Sequence, residues 1–177
     1  MLPAFESISY LKVGTPLQRK TYDVLCQSGI LSALAPYNPV LAGTLPLDLF
    51  IPGQSDLDIL CEVSSSLQEF SEFLIQEFSS RDAFSIRQKH IKGKVSVIAC
   101  FNLGQFAVEI FGQATPVCQQ AAFRHMITEY KLLQKHGEAF KEQILKLKKQ
   151  GIKTEPAFAL VLGLHGDAYD VLLNLEV

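Results

Sequence analysis

The clearest pattern along the chain is helical and covers residues 67–78. Apolar residues recur there every three or four positions, the spacing of one helix face, and they are Leu67, Phe70, Leu74 and Phe78. The serines at 64–66 come directly before this run and offer a hydroxyl for the N-cap. A second helix is predicted over residues 15–35, because Pro16 suits a first turn and Pro36 suits a helix end.

Five other segments carry the pattern of β-strands. Residues 40–42 and 55–63 are predicted to form two short strands. The segments 83–91, 94–101 and 105–112 are rich in β-branched and aromatic residues and are divided by short turns that contain glycine. This spacing predicts an antiparallel meander, which together with the two earlier strands would form a mixed sheet.

Beyond Gly112 the pattern becomes helical. We predict helices over about 116–135 and 138–150, and two short helices with Thr154 and Asp167 as their N-caps. The predicted fold class is therefore α+β, a mixed β-sheet with packed helices and a helical C-terminal part. An α/β core over residues 1–114 and a helical region over 115–177 would pack into one compact domain, with the helices closing over the sheet to form a substrate pocket.

Composition restricts the classes of function. The 177 residues are 48% hydrophobic, and 16 basic against 18 acidic residues give a formal charge of −2. Such a chain lacks the broad positive field of a protein that binds extended nucleic acid. No stretch approaches the ~20 apolar residues of a membrane span, and the N-terminus lacks the apolar run of a secretory signal.

The four cysteines are Cys26, Cys61, Cys100 and Cys118. Their separations of 35, 39 and 18 residues contain no zinc-ligand spacing. Because they have apolar neighbours, we expect buried free thiols and a reducing, cytoplasmic compartment.

Two aspartates, Asp56 and Asp58, flank Leu57 on a predicted strand. Alternate side chains of a strand share a face, so the two carboxylates would lie roughly 6.5 Å apart on one side. They repel each other unless a positive partner is present, and no Lys or Arg occurs between Val40 and Ser80. A hard divalent cation, Mg²⁺ or Mn²⁺, is the partner that this pattern favours. The alternative is an exposed edge strand whose aspartates deter strand pairing.

A third acid, Glu109, lies between Val108 and Ile110 in a strand-like run. Its alternation partners Ala107 and Phe111 are apolar, which predicts that Glu109 shares a largely buried face. A buried carboxylate is rarely tolerated without a partner. Convergence of Glu109 with the two aspartates on one or two cations would satisfy all three acids.

Three separated elements of the chain resemble the nucleotidyltransferase superfamily typified by DNA polymerase β. That signature is an apolar residue, Gly, then Gly or Ser, a gap of about ten residues, an acid-apolar-acid strand, and later a third acid in a strand. The matching residues are Ala42-Gly43-Thr44, Asp56-Leu57-Asp58 and Val108-Glu109-Ile110. Nearly the whole chain, including GIKTEPAFALVLGLHGDAY at 151–169, also resembles a bacterial family of unknown function within that superfamily.

The resemblance implies a polymerase β-like fold and transfer of a nucleoside monophosphate from a nucleoside triphosphate to an unidentified hydroxyl acceptor. It implies that Asp56, Asp58 and Glu109 are the catalytic, metal-binding acids, and that Gly43, Thr44 and Ser55 bind the nucleotide.

The chain departs from the superfamily pattern at the turn. Thr44 stands where many members have Ser, and the Arg or Lys that many active members carry after the turn is missing between Gly43 and Asp58. Phosphate binding would then depend on backbone N–H groups, metal or a distant cation such as Arg87, Lys92 or Lys94, although these residues are more typical of a solvated hairpin. The alternatives are a catalytically inactive member that binds a nucleotide or a partner protein, and a structural domain in which the acids never converge.

The C-terminal helices add a few candidates. His125 and Glu129 are four residues apart, so they either line a nucleotide pocket or stabilise their helix through mutual contact. The helix start at 153–156 offers free N–H groups for an anion, although capping by Thr154 explains it equally well. In residues 138–150 the lysines are expected to form a solvated face opposite the apolar residues, and they are Lys141, Lys146, Lys148 and Lys149.

Overall fold

A five-stranded mixed sheet forms the centre of the computed structural model, which describes residues 5–91 and 93–177. The strands are β1 (Val40–Ala42), β2 (Leu57–Glu62), β3 (Ser85–Ile91), β4 (Lys94–Leu103) and β5 (Phe106–Gln113). Their order across the sheet is β1-β2-β5-β4-β3. β2 and β5 run parallel, and the other three neighbouring pairs are antiparallel. The predicted α+β class and the meander are confirmed.

Seven α-helices surround the sheet in the described part of the chain. They are α1 (Pro16–Ser28), α2 (Ile30–Ala33), α3 (Leu67–Phe78), α4 (Ala121–His136), α5 (Glu138–Lys149), α6 (Thr154–Leu162) and α7 (Ala168–Leu173). Short 3₁₀ turns occur at Ile8–Val13, Ala35–Tyr37 and Val117–Gln119.

Local capping explains most of the helix boundaries. Thr15 and Ser66 each close a capping box at the start of α1 and α3, and Asp167 caps α7 as predicted. The single helix expected over 15–35 is interrupted at Gly29, whose φ of 68° ends α1 before α2 begins. The helix expected from residue 116 begins only at Ala121, because a 3₁₀ turn precedes it.

The two faces of the sheet pack against different halves of the chain. One face presents apolar side chains such as Ile59, Ala99 and Ile110 to a core that includes α1 and α3. The opposite face presents Ala42 and Leu60 to a second core built from α4 to α7. The helices of the C-terminal half therefore cover the face that Asp58 and Glu109 share, since these residues alternate with the first set.

The cysteines differ in exposure. None of the four is in a disulfide, as expected. Cys61 is buried and Cys100 is half-buried, but Cys26 and Cys118 are exposed, so the prediction of burial is wrong for those two. The apolar sequence neighbours of Cys26 did not reveal that its side chain lies outside the buried face of α1, which includes Leu25.

Among the described helices, none combines the length and apolar content needed to cross a membrane.

Gly112 of β5 is required by packing against α3. A β-carbon at this position would overlap the ring of Phe70, which is completely buried. We expect Gly112→Ala to destabilise the fold by about 1–3 kcal/mol, because the ring has no space into which it can move. Urea unfolding monitored by circular dichroism measures this change.

A double variant with Phe70→Leu tests the cause. The smaller side chain accommodates the added methyl group, so the double variant should be more stable than the sum of the two single losses predicts. Strict additivity of the two free-energy changes would contradict the proposed overlap.

Candidate functional site

The turn after β1 brings backbone directly against Asp58. Gly43 has a φ of 70°, and a β-carbon there would overlap the Asp58 carboxylate. The Thr44 carbonyl accepts a hydrogen bond from the N–H of Leu49 at 2.9 Å, which closes the turn. Glycine is therefore needed at position 43 for two independent reasons, its backbone conformation and the close approach of Asp58.

The parallel pairing of β2 and β5 places Asp58 beside Glu109. The two residues are direct partners in the register, so their side chains leave the same face of adjacent strands, about 4.8 Å apart at the backbone. Asp56 lies just before β2, which begins at Leu57 rather than at the predicted residue 55, and its side chain is exposed.

The charges of these acids affect one another. Burial of its carboxyl group, followed by the charges of Glu109 and Asp56, raises the pKa of Asp58 to about 8. Such a shift means that the ionised carboxylate lacks enough positive charge nearby. Asp58 therefore has the electrostatic character of a group that an added cation would stabilise.

The prediction that Glu109 lies on a largely buried face is wrong. Its side chain is 29% exposed and Ala107 is exposed, whereas Val108 and Ile110 on the opposite face are buried. One carboxylate oxygen accepts a hydrogen bond from Arg87 at 3.4 Å and one from the thiol of Cys100 at 3.8 Å. Burial raises the pKa of Cys100, so the thiol keeps its proton.

A cleft of about 560 Å³ connects the acids to the C-terminal helices, a volume within the range of small-ligand sites. The sheet side of this cleft contains all six predicted site residues, namely Gly43, Thr44, Ser55, Asp56, Asp58 and Glu109. The helical side comes from α4 to α7 and includes His125, Glu129, Lys148, Lys153, Thr154 and Glu155.

Lys148 is the functional candidate that the sequence reasoning missed. It is only 7% exposed and lines the cleft, so its assignment to a solvated face is wrong. Its ammonium group donates a hydrogen bond to the Thr154 hydroxyl at 2.6 Å, and burial lowers its pKa. The available signal was helical spacing, because Lys148 follows Ile144 by four residues and Phe140 by eight, on the buried stripe of α5.

The other basic candidates have distinct surroundings. Lys94 lines the cleft and donates to the Thr115 hydroxyl at 3.0 Å, and Lys153 lines the cleft from the start of α6. Arg87 contacts Glu109 and is not a free solvated residue. Lys92 lies outside the described residues. No basic residue follows Gly43 in the sequence before Asp58, but lysines from distant elements of the chain provide positive charge in the cleft.

His125 and Glu129 both line the cleft. The Nε2–H of His125 donates to the Tyr169 carbonyl oxygen at 2.8 Å, and its Nδ1 lies 3.6 Å from Glu155. Glu129 is 3% exposed and one of its carboxyl oxygens has no partner, while burial raises its pKa well above the ordinary value. Of the two readings left open by the sequence, the position of both residues favours the pocket.

Two hydroxyl groups of the predicted nucleotide site differ in availability. The Thr44 hydroxyl is buried without a hydrogen-bond partner, whereas that of Ser55 accepts from the N–H of Ile51 at 3.1 Å.

Thr154 is the first residue of α6 and not its N-cap, so the capping explanation for it is wrong. Lys153 occupies the cap position without a side-chain hydrogen bond to the helix.

The donor set fits a divalent cation. Carboxylate oxygens are the ligands that Mg²⁺ and Mn²⁺ prefer. Burial and two neighbouring acids disfavour the ionised form of Asp58, which a cation would stabilise, and Gly43 leaves the Asp58 carboxylate uncovered by a side chain. Over residues 5–91 and 93–177, the side chains include no ready group of three His, Cys, Asp or Glu residues around one ion position. The Oε2 oxygen of Glu109, which accepts from Arg87, would have to leave that partner to join the aspartates.

Asp58 should make the stability of the cation-free protein depend on pH. Its pKa is about 8 in the folded state and about 3.9 in an unfolded chain. Between these values the folded protein holds a proton that the unfolded chain releases, so stability falls as the pH rises. We expect Asp58→Asn to be more stable than wild type at pH 8.5 by at least about 1 kcal/mol, and the difference to shrink at pH 5.

Urea unfolding with a chelator present measures this difference. Asp23→Asn on the exposed surface of α1 is the matched control, and its effect should not change with pH in this way. An unchanged pH dependence in Asp58→Asn would contradict the shift.

Two solved structures match the fold: a cytoplasmic RNA terminal U-transferase, 18% identical, with a TM-score of 0.53 over 81% of this chain and 45% of that one, and the Cid1 poly(U) polymerase with Mg and 3′-dATP bound, 18% identical, with a TM-score of 0.51 over 89% and 49%. The chain spans less than half the length of each.

These likenesses show the polymerase β-like nucleotidyltransferase fold. None of the curated proteins compared with the sequence matches it. The family described as "Domain of unknown function (DUF4269)" matches residues 23–175, and the chain belongs to that family.

Proposed function

We propose that this protein is a divalent-cation-dependent nucleotidyltransferase, which moves a nucleoside monophosphate from a nucleoside triphosphate onto a hydroxyl-bearing acceptor. The observation that carries the proposal is the register of β2 with β5, which sets Asp58 beside Glu109. The backbone of Gly43 lies directly against the Asp58 carboxylate. Fold alone would not name a reaction. This arrangement of acids within this fold supports phosphoryl-transfer chemistry.

Asp56, Asp58 and Glu109 are the residues that would hold the cation. A bound Mg²⁺ or Mn²⁺ would supply positive charge to the phosphoryl group and to the leaving pyrophosphate. The protein's own contribution is to direct the three carboxylates into one cleft, where the bound cation would stabilise the ionised form of Asp58. Glu109 would also be the residue that accepts the proton of the attacking hydroxyl.

Phosphate binding is assigned to both sides of the cleft. On the sheet side, the turn at Gly43 leaves backbone groups uncovered by a side chain, and the buried Thr44 hydroxyl has no hydrogen-bond partner. On the helical side, Lys148 and Lys153 supply positive charge near the start of α6. Because Lys148 lies close enough to Asp58 for their charges to interact, a triphosphate would extend from the acids toward α5 and α6.

The two halves of the chain would then act as the two walls of one site. Residues 1–114 supply the acids and the turn, and residues 115–177 supply the cations and the remaining pocket surface. The structural neighbours are a terminal U-transferase and a poly(U) polymerase, which supports the class of reaction.

A second candidate is a nucleotide-binding protein without transfer activity. The ion pair between Glu109 and Arg87 favours it, because the third acid is engaged elsewhere. Both candidates require nucleotide binding, but only the first predicts release of pyrophosphate.

The central test is binding of nucleoside triphosphates with Mg²⁺ by isothermal titration calorimetry. We expect the double variant Asp56→Ala with Asp58→Ala to bind at least about tenfold more weakly, because metal affinity depends on both carboxylates. Asp23→Ala with Glu72→Ala, which removes two exposed acids, is the control. Unchanged binding in the aspartate variant would remove the transferase, and pyrophosphate release from wild type with a cell lysate separates the two candidates.

The role of Lys148 has a matched control on the same helix. Lys148→Met should weaken triphosphate binding about 10- to 100-fold, because a hydrogen bond between charged groups is lost in a buried place. Lys149→Met removes an exposed lysine one residue away and should change the affinity less than twofold. Calorimetric affinities with a non-hydrolysable triphosphate measure both. Equal effects of the two substitutions would contradict the assignment.

A further inference from the structure

Arg87 lies on the edge strand β3, on the face of the sheet that carries the acids. Cys100 pairs with Ser85 of β3 on one side and with Glu109 of β5 on the other. Side chains two residues apart share a face, so Arg87 points to the same side as Cys100 and Glu109. The guanidinium group can thus reach across β4 to the acid end of the cleft.

Three contacts join these residues. Arg87 donates from Nη2 to Glu109 Oε2 at 3.4 Å and from Nη1 to Cys100 Sγ at 3.4 Å. The thiol of Cys100 donates to the same Glu109 oxygen at 3.8 Å. One carboxylate oxygen therefore receives two donors, and both draw Glu109 toward β4 and β3.

The consequence concerns the three acids. Asp58 and Glu109 are neighbours in the register, yet side chains in the described part of the protein form no ready three-residue ligand group. Glu109 Oε2 can serve as a ligand only after it leaves Arg87. The ion pair and the cation compete for the same carboxylate.

We propose that Arg87 is a positioning residue that holds Glu109 in the cation-free protein and competes with the divalent cation for its carboxylate. The inference rests on the proposed function, because it needs the cation site of Asp56 and Asp58. It adds an internal competitor that sets how strongly the site binds metal.

The expected effect is small because the pair is accessible to water. The Arg87 side chain is 51% exposed and that of Glu109 is 29% exposed, and ion pairs of this kind are weak. Arg87→Ala should tighten Mn²⁺ binding by about two- to fivefold. A purely structural role for Arg87 would leave the affinity unchanged or lower it.

A double-mutant cycle distinguishes competition for the Glu109 carboxylate from a general electrostatic effect of removing the Arg87 charge. Mn²⁺ affinity is measured by electron paramagnetic resonance for wild type, Arg87→Ala, Glu109→Gln and the double variant. Arg87→Ala should tighten binding in the wild-type background and have less than half of that effect in the Glu109→Gln background. Lys89→Ala, which removes an exposed charge two residues along β3, should change the affinity less than Arg87→Ala.

Two results would overturn the inference: an Arg87→Ala affinity equal to or weaker than wild type, or the same change in both backgrounds. The failure of the proposed function is a different result. Mn²⁺ binding that survives Asp58→Asn removes the cation site itself. Binding that is lost in Asp58→Asn but unchanged in Arg87→Ala removes only the role of Arg87.

Discussion

The parallel pairing of β2 with β5 is the constraint on which the site depends. Asp58 and Glu109 are 51 residues apart in the chain, yet the register makes them direct neighbours on one face. A shift of one residue in either strand would turn its acid to the opposite face and place it among apolar core residues. The buried residues on either side of each acid, such as Leu57 and Ile59, fix this register because they must face the other core.

A sheet with two different faces explains how the protein keeps charged groups in a cleft. One face is occupied by a continuous apolar core, which supplies stability. The other is only partly filled by the core of the C-terminal helices, which leaves room for acids and lysines. Burial then acts on both signs of charge, since it raises the pKa of Asp58 and lowers that of Lys148. Strongly shifted pKa values cluster at functional sites, which supports the choice of this cleft as the candidate site.

Local signals predicted the elements, and non-local packing decided the rest. The boundaries of α3 follow from a stripe of apolar residues and a serine cap, so the sequence alone predicted them. The sequence predicted that Glu109 would converge with the two aspartates, but not the parallel pairing of β2 with β5, since no local pattern specifies a parallel partner. Alternation around Glu109 was ambiguous, because both sets of its neighbours are apolar and only the fold distinguishes core from cleft. Lys148 was assigned by its charge, whereas its position on the buried stripe of α5 decides its environment.

The two sides of the cleft are linked by the loop that connects the turn to β2. Asp48, with a φ of 54°, accepts a hydrogen bond from Lys141 of α5 at 2.7 Å and one from the Thr15 hydroxyl at 3.1 Å. The same aspartate therefore ties the loop to the start of α1 and to the helix that carries Lys148. The positioning of phosphate groups depends on the relative placement of both sides of the cleft. Asp48 helps to fix that placement, at the cost of a strained backbone conformation. The geometry of the site is thus set by contacts outside it as well as by the acids themselves.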